Sequence, residues 1–218
     1  MKDPYLLEMT GSEPLSLEEE LEMQESWRID EKKCTFILLA KEDCVQMVDD
    51  GDALFHDERN DFVMNNLDAM VGDVNLFISE EEDDDDEEEN EHDSFQDEDN
   101  SKPKPLQAEI DIMVAVDKYR QKGIGKEAVC LMMIYAATVL GIRCIKAKIK
   151  DTNDASRKLF EKSLRFRESN FVSCFKEYEY ELKRESPHLL EKVIHELYPH
   201  EIRSHDVPIY SCDEKDPN

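Results

Sequence analysis

The segment from Ala108 to Gly125 constrains the fold of this 218-residue chain more than any other part of its sequence. Isoleucine and valine alternate with other residues over 108–116, which is the pattern of a strand with one apolar face. In the loop that follows, Gly123 and Gly125 stand one residue apart. Two such glycines let several N–H groups point at one spot, and a helix that begins there adds the positive end of its dipole. The segment therefore predicts a strand that leads into a phosphate-binding loop.

The residues after the loop complete an α/β unit. Residues 126–140 have apolar side chains at helical spacing, and Gly141 is placed to end that helix. Ile145, Ala147 and Ile149 then alternate with lysines, which predicts a second strand with these three side chains facing inwards. A strand, a helix and a parallel return strand form a right-handed crossover.

Two common phosphate-binding units do not fit this loop. A Rossmann site requires Gly-x-Gly-x-x-Gly/Ala and an acidic residue that closes the next strand. Here Ala128 stands at the third glycine position, but the next strand carries lysines and ends in one rather than in an acidic residue. A Walker A loop requires Gly-Lys-Ser/Thr, which is absent after Gly123. The loop is therefore a diphosphate clamp of another kind.

Two separate blocks resemble the GCN5-related N-acetyltransferases (GNAT). Arg120, Gly123 and Gly125, in the arrangement Arg-x-x-Gly-x-Gly, resemble the acetyl-CoA loop of that family. A second block resembles the helix and return strand of that family, and it is formed by Asn153, Ser156, Phe160 and Phe166. Four shorter segments resemble the N-acetyltransferase 9 branch, whose members are described as α/β-tubulin N-acetyltransferases: residues 12–15, 34–37, 70–77 and 109–113.

The resemblance implies a fold and an activity. The fold is a mixed α/β (α+β) one, with a mostly antiparallel sheet, a splayed central strand pair and flanking helices. The activity is acetyl-CoA-dependent transfer of an acetyl group to a protein amine, an N-terminal α-amine or a lysine, by direct attack in a ternary complex. Tubulin is the protein substrate that the resemblance suggests. The family normally has a strand ahead of the matching segment, and we expect this strand to be missing because the chain begins at Met1 inside the expected helix region.

The resemblance also implies where acetyl-CoA binds. Pantetheine is expected to pair with the strand backbone, and the diphosphate to rest on the loop N–H groups beside an arginine charge. Asn153 would hydrogen-bond the pantetheine arm, although its position also suits a helix N-cap, and both roles stay open. The expected contacts are Met113, Val114 and Ala115 of the strand, Arg120, Gln121, Lys122, Gly123, Ile124 and Gly125 of the loop, and Asn153, Ser156 and Phe160 of the second block.

Acetyl transfer further requires a base, because a lysine acceptor (reference pKa about 10.4) is protonated at neutral pH. Glu109 is the first candidate, since it matches the acidic position that opens this strand in many family members. Its alternative role is an exposed strand-end carboxylate. Asp111 is the second candidate, on the same face. At Phe160 many family members carry a tyrosine that protonates the leaving thiolate, so here another donor or solvent serves, or no acid is needed.

An acidic tract dominates the charge of the chain. Of its 54 acidic residues, 15 fall within 80–99, and without them the formal net charge of −27 becomes −12. The remaining acidity argues against nucleic-acid binding. The tract has too little apolar surface to offset its ordering entropy, so residues 80–105 are predicted to be a disordered insertion between two strands. An alternative function follows, in which a catalytically impaired GNAT fold uses this tract to engage basic partners.

Location and metal content are constrained by what the sequence lacks. There is no apolar run near the ~20 residues that a membrane helix requires, and no secretory signal. The six cysteines have no paired spacing, which indicates a reduced, cytoplasmic protein, with cytoskeletal association if tubulin is the substrate. No metal site is predicted, because no suitable ligand spacing surrounds the histidines. The oligomeric state is not determined by the sequence.

The rest of the chain is predicted as follows. Residues 1–182 form the acetyltransferase domain, with an inserted irregular loop at 42–68, and residues 183–218 form a helix and a polar tail. Ser16 opens a helix through a capping box, with Leu17, Leu21 and Trp27 on its inner face. Further strands are predicted at 33–41, 70–79 and 171–182, and a final helix runs from Pro187 to about residue 198.

Overall fold

The structure is a computed structural model that describes residues 2–45, 56–81 and 104–198. In these ranges six strands form one sheet, with six α-helices around it. The strands are β1 (Lys33–Leu39), β2 (Met70–Glu80), β3 (Leu106–Val114), β4 (Cys144–Lys150), β5 (Arg167–Val172) and β6 (Glu177–Lys183). The helices are α1 (Pro4–Thr10), α2 (Leu17–Ile29), α3 (His56–Asn65), α4 (Ile124–Thr138), α5 (Asp154–Lys158) and α6 (Pro187–Leu197). None of these helices is long and apolar enough to cross a membrane.

The sheet has the order β1-β2-β3-β4-β6-β5, and all its neighbours are antiparallel except β3 and β4. The parallel pairing is short, since residues 107–109 of β3 meet residues 144–146 of β4. Both strands continue well beyond this point, to Val114 and Lys150. They must therefore separate, and the expected mostly antiparallel sheet with a splayed central pair is confirmed.

The hydrophobic core lies between one face of the sheet and the helices α4 and α6. Ile145, Ala147 and Ile149 are buried there, as their alternation predicted. α6 adds Leu190 and Ile194, both fully enclosed. Burying a side chain of this size stabilises the folded state by roughly 1.5–3 kcal/mol, so this layer holds β3 and β4 in place on either side of their separation.

α2 begins as predicted but packs differently. The N–H of Ser16 donates to Oε2 of Glu19 at 2.8 Å, and the N–H of Glu19 donates to Oγ of Ser16 at 3.3 Å, which completes the capping box. None of the 13 residues of this helix is buried, however. Leu17 is 72% exposed and Leu21 is 56% exposed. The prediction that they face a packed interior is wrong, because they face a cavity instead.

Two other predictions from the sequence are also wrong. The segment 42–68 is not irregular, since it contains α3 and short 3-10 turns at Lys41–Asp43 and Leu67–Ala69, although residues 46–55 lie outside the described residues. The predicted single strand at 171–182 is a hairpin of β5 and β6. Its turn was hidden because Lys176, and not a glycine, takes the left-handed conformation there, with φ of 54°.

The two ends of the acidic insertion are held together by contacts of Glu81, Pro105 and Arg143, which we call the neck. The N–H of Glu81 donates to the carbonyl of Pro105 at 2.8 Å, and β2 and β3 remain paired as far as Glu80 and Leu106. The Glu81 side chain is 8% exposed and accepts from Arg143 at 2.9 and 3.0 Å. The two predicted strands therefore pair across the insertion, whose residues 82–103 lie outside the described residues, as does the predicted tail at 199–218.

Candidate active site

A cavity of about 1200 Å³ opens where β3 and β4 separate. It is lined by both strands, by the loop before α4, by α1 and α2, and by the start of α5. A volume above that of most small-molecule sites suits a long ligand together with a second reactant. Most of the predicted site residues meet here, namely Asp111, Met113, Val114, Arg120, Gln121, Gly123, Gly125, Asn153, Ser156 and Phe160. Glu109, Ala115, Lys122 and Ile124 lie outside its lining.

The loop before α4 has the backbone of an anion-binding site. Gln121 and Gly123 both take the left-handed conformation, with φ of 60° and 91°. α4 begins directly afterwards at Ile124, so its first N–H groups and its positive dipole end lie beside the cavity. A Cβ atom on Gly125 would lie 3.9 Å from the nearest side-chain atoms, Cγ1 of Ile112 and Cδ2 of Leu159. A methyl group would fit there, but a large side chain would fill the mouth of the cavity.

Arg120 fastens this loop to the end of β3. Its Nε donates to the carbonyl of Val114 at 2.9 Å, and its Nη2 donates to the carbonyl of Ala115 at 2.8 Å. Nη1 also meets Asp117 at 3.3 Å, and the guanidinium lies 4.8 Å from the ring centroid of Tyr5. The charge that was expected to assist a diphosphate therefore lies at the base of the loop, where it also fixes the loop's shape.

The backbone of β3 offers hydrogen-bonding groups to the gap. The N–H of Ala115 donates to the carbonyl of Val71 at 2.8 Å, so this residue faces β2. Because successive residues alternate in direction, the N–H groups of Ile112 and Val114 point towards the side of β4. Beyond residue 109 that side is the gap. Of the three strand residues predicted to pair with pantetheine, Val114 is the one whose backbone N–H faces it.

The second block lies on the opposite side of the gap. Asn153 caps α5, since its Oδ1 accepts from the N–H of Ser156 at 3.1 Å, while its Nδ2 donates to the carbonyl of Met9 at 3.2 Å. Phe160 is 2% exposed and packs edge-on against Phe166, with their ring centroids 5.0 Å apart. The predicted cap is confirmed, and Phe160 forms an apolar wall of the cavity.

The two carboxylates proposed as bases occupy different environments. Glu109 forms an ion pair with Lys148 at 2.7 Å, and this hydrogen bond raises the pKa of Lys148. Asp111 lines the cavity. Its side chain is exposed to the water in the cavity, and the surrounding protein atoms remove part of its hydration. Burial, together with the nearby negative charge of Glu109, raises the pKa of Asp111 to about 6.

A row of polar side chains beside Asp111 was not predicted. Asn75 lies directly opposite Asp111 across β2 and β3, and Thr35 lies opposite Asn75 across β1 and β2. Oγ1 of Thr35 donates to Oδ1 of Asn75 at 2.6 Å, and Nδ2 of Asn75 donates to Oδ1 of Asp73 at 2.7 Å. Burial raises the pKa of Asp73. The signal in the sequence was the spacing of Asp73 and Asn75, two residues apart in an otherwise apolar strand.

The part of the cavity beneath α2 is largely apolar. Leu17, Leu21 and Trp27 form its wall on the helix, and Ile37 of β1 lies across from them, 53% exposed. This groove leads to the polar row that contains Asp111. The cavity thus has a loop suited to an anion on one side, and on the other an apolar groove that ends at a carboxylate of raised pKa.

Sequence comparisons agree with this geometry. A family model described as the acetyltransferase (GNAT) domain matches residues 1–163. An N-acetyltransferase 9-like protein of Caenorhabditis briggsae is 38% identical over 185 residues, which cover 85% of this chain and 75% of the relative. The human alpha/beta-tubulin-N-acetyltransferase 9 is 35% identical over 198 residues, which cover 89% of this chain and 78% of the relative.

A solved structure shares the fold. The spermidine N-acetyltransferase from Vibrio cholerae, in complex with CoA and spermine, superposes with a TM-score of 0.54. The match is 16% identical in sequence and covers 85% of this chain and 86% of that one. Membership of the family is established by the family match and by the identities over most of the chain. The chain therefore belongs to the GNAT acetyltransferase family and is an N-acetyltransferase that uses acetyl-CoA.

Proposed function

We propose that this enzyme acetylates an amine of a protein, and that the N-terminal α-amine of tubulin is the first acceptor to test. The observation that carries the proposal is one cavity that joins the loop before α4 to the groove beneath α2, with Asp111 between them. The choice of tubulin is supported by the name of the human relative, alpha/beta-tubulin-N-acetyltransferase 9, which is 35% identical to this chain.

Acetyl-CoA lies with its diphosphate on the N–H groups of residues 121–125, where helix dipole and backbone favour negative charge. Its pantetheine arm enters the gap and bonds the backbone N–H of Val114. Asn153 reaches the arm from the other side by releasing the carbonyl of Met9. Phe160 supports the arm as an apolar wall, which agrees with its position in the lining.

Asp111 is the base of the reaction. The acceptor nitrogen attacks the thioester carbonyl, the new C–N bond forms, the C–S bond breaks, and Asp111 takes the amine proton directly or through water. A carboxylate with a pKa of about 6 is mostly ionised at neutral pH and can accept this proton. Its pKa lies closer to that of an α-amine (about 7.7–8.0) than to that of lysine (about 10.4), which favours the N-terminal acceptor.

The leaving thiolate takes its proton from solvent. Phe160 has no proton to give. Tyr119 also lines the cavity, but its hydroxyl is donated to Asp43, which also accepts from Lys118 at 3.0 Å. A thiolate is a tolerable leaving group near neutral pH, since an ordinary thiol has a pKa of about 8.5. Positioning of the two reactants supplies much of the rate.

The test is acetyl transfer to purified tubulin dimers, with the acetylated residue located by peptide mass spectrometry. We expect Asp111→Asn to lower kcat/KM by about 10²–10⁴-fold, because general-base catalysis is lost. Glu109→Gln is the matched control, and we expect it to lower kcat/KM by less than about tenfold because Glu109 lies outside the cavity lining and acts on Asp111 only through its charge. A larger loss in Glu109→Gln than in Asp111→Asn would reverse the assignment.

Calorimetric titration with acetyl-CoA comes first and separates the possible failures. We expect saturable binding that Gly125→Trp abolishes, since an indole would fill the mouth of the cavity. Binding without acetylation of tubulin would mean that another protein is the acceptor. A folded protein that does not bind acetyl-CoA would contradict the proposal and favour the alternative, an interaction protein built on this fold.

A further inference from the structure

The ammonium group of Lys33 lies in an unusual environment beside the active site. Lys33 is the first residue of β1, and its Nζ lies 3.0 Å from the ring centroid of Trp27 on α2 and 3.8 Å from that of Phe77 on β2. Nζ is buried and has no hydrogen-bond partner among the residues that the structure describes. An ammonium normally keeps such partners when it leaves water, because losing them is costly. Attraction to the two ring faces and to nearby carboxylates must therefore hold this charge.

The sheet directs this charge towards Asp111. Lys33 lies opposite Phe77, which lies opposite Glu109, and the neighbouring row runs from Thr35 through Asn75 to Asp111. Side chains in these rows share one face, and two strand spacings separate β1 from β3 by roughly 10 Å. The rings of Trp27 and Phe77 keep water from the ammonium itself, so its charge acts on Asp111 with only the cavity side open to screening by water.

The other charges around Asp111 determine how strongly the ammonium of Lys33 affects its ionisation. Glu109 from its own strand and Asp73 from β2 disfavour its ionised form, whereas Lys33 from β1 and Lys148 from β4 favour it. Glu13 and Glu20 line the cavity from the side of α1 and α2. Lys148 is already engaged by Glu109 at 2.7 Å. Among the described groups that act on Asp111, Lys33 is the cation whose charge no ion pair offsets.

We propose that Lys33 is a positioning residue for acetyl transfer, whose ring-bound ammonium keeps Asp111 ionised and able to take the proton of the acceptor amine. This inference rests on the role proposed above for Asp111. The attraction is mutual, because burial lowers the pKa of Lys33 to about 8 while Asp111, Asp73 and Asp30 oppose that shift. At neutral pH Lys33 is therefore charged when Asp111 has to act as the base.

The experiment is a ¹³C NMR titration of the aspartate carboxyl groups in the full chain, with the Asp111 signal assigned by its loss in Asp111→Asn. We expect a midpoint near pH 6 in the wild type. Lys33→Met should raise this midpoint by about 0.3–1 pH unit, because an attracting charge roughly 10 Å away is removed. Lys33→Arg should keep it, because the charge remains. The acid limb of kcat/KM should move in parallel with the midpoint.

Phe77→Leu is a second variant that covers the case in which Lys33→Met does not fold. It keeps the charge but admits water to one side of it, so the midpoint should rise by less than in Lys33→Met. A purely structural role for Lys33 would lower Tm and leave both the midpoint and the acid limb in place, which would overturn the proposal. If Lys33→Met shifts the midpoint but Asp111→Asn keeps full activity, the catalytic role of Asp111 is overturned instead.

Discussion

At the scale of single residues, the backbone decides the shape of the site. Gly72 lies opposite Val114 of β3, and a Cβ atom on Gly72 would lie 1.9 Å from the carbonyl oxygen of Met113. That oxygen belongs to the strand that borders the gap, so it cannot move without changing the cavity. Glycine at position 72 is therefore a requirement of close packing between β2 and β3.

Gly72→Ala should lower the free energy of unfolding by about 1–3 kcal/mol, the range for steric overpacking, because the added methyl group must displace backbone. The measurement is urea denaturation. Gly125→Ala is the matched control, since its new methyl group would make only ordinary contacts at 3.9 Å and should change stability by less than about 0.5 kcal/mol. Equal effects of the two substitutions would show that the contact at Gly72 is relieved without cost.

Residue chemistry was partly readable in advance. The two glycines and Asn153 stand in local patterns, and a resemblance to known sequences carried their roles. Lys33 could not be found in that way, and the local spacing of Asp73 and Asn75 did not reveal their place beside Asp111, because these contacts depend on the register of three strands. Register arises from the whole folded sheet, and a shift of one residue would turn these side chains to the other face.

At the scale of elements, local signals predicted what local sequence determines. The strand, loop, helix and strand from β3 to β4 follow from alternation, from glycines and from helical spacing, and the structure confirms them. The turn between β5 and β6 was not predicted because no glycine marks it. For α2 the sequence correctly predicted a helix, but the environment of its apolar side chains was wrong. Periodicity alone does not distinguish a packed core from the wall of a cavity.

The neck of the acidic insertion allows a prediction at this scale. Burial alone would raise the pKa of Glu81, but hydrogen bonds from Arg143 and Lys183 outweigh it and lower that pKa. A carboxylate with a lowered pKa contributes stability above its ordinary pKa, near 4.5, and this contribution is lost as the pH falls through its folded value. Arg143→Met should remove about 2 kcal/mol of unfolding free energy at pH 7, less than for a fully enclosed pair because Arg143 is 28% exposed.

The matched control for the neck is Arg28→Met. It breaks the pair of Arg28 with Glu25 at 2.8 Å, in which both side chains are more than half exposed. Such a pair contributes at most about 1 kcal/mol, so the loss should be clearly smaller than that of Arg143→Met. The difference between the two variants in lost unfolding free energy should shrink as Glu81 is protonated in acid. A difference that is constant down to pH 3 would contradict the role given to Glu81.

At the scale of the whole molecule, the neck of the insertion and the loop before α4 lie at opposite ends of β3. The neck joins the start of this strand at Leu106, and the anion-binding loop follows its end at Val114. Eight residue steps at about 3.3 Å give a separation of roughly 26 Å, about three Debye lengths at physiological salt. The acidic tract is thus attached far from the loop on which the diphosphate of acetyl-CoA is proposed to rest.

Replacing residues 82–103 by a short glycine–serine linker should therefore change the Kd for acetyl-CoA by less than about threefold at 0.15 M salt, because charges at the point of attachment are screened from the loop over that distance. Calorimetric titration checks this, with the full chain as reference. A loss of affinity of tenfold or more would mean that the tract takes part in cofactor binding. Loss of binding to basic proteins, with unchanged cofactor binding, would give the tract a separate role.

The shortness of the contact between β3 and β4 has a consequence for how the protein resists proteolysis. The sheet consists of two halves whose central strands meet over residues 107–109 and 144–146. A donor molecule held in the gap would act as a missing strand and tie these halves together. Its binding stabilises the folded state in proportion to ln(1 + [L]/Kd). Resistance of the purified protein to proteolysis should then rise with the concentration of acetyl-CoA.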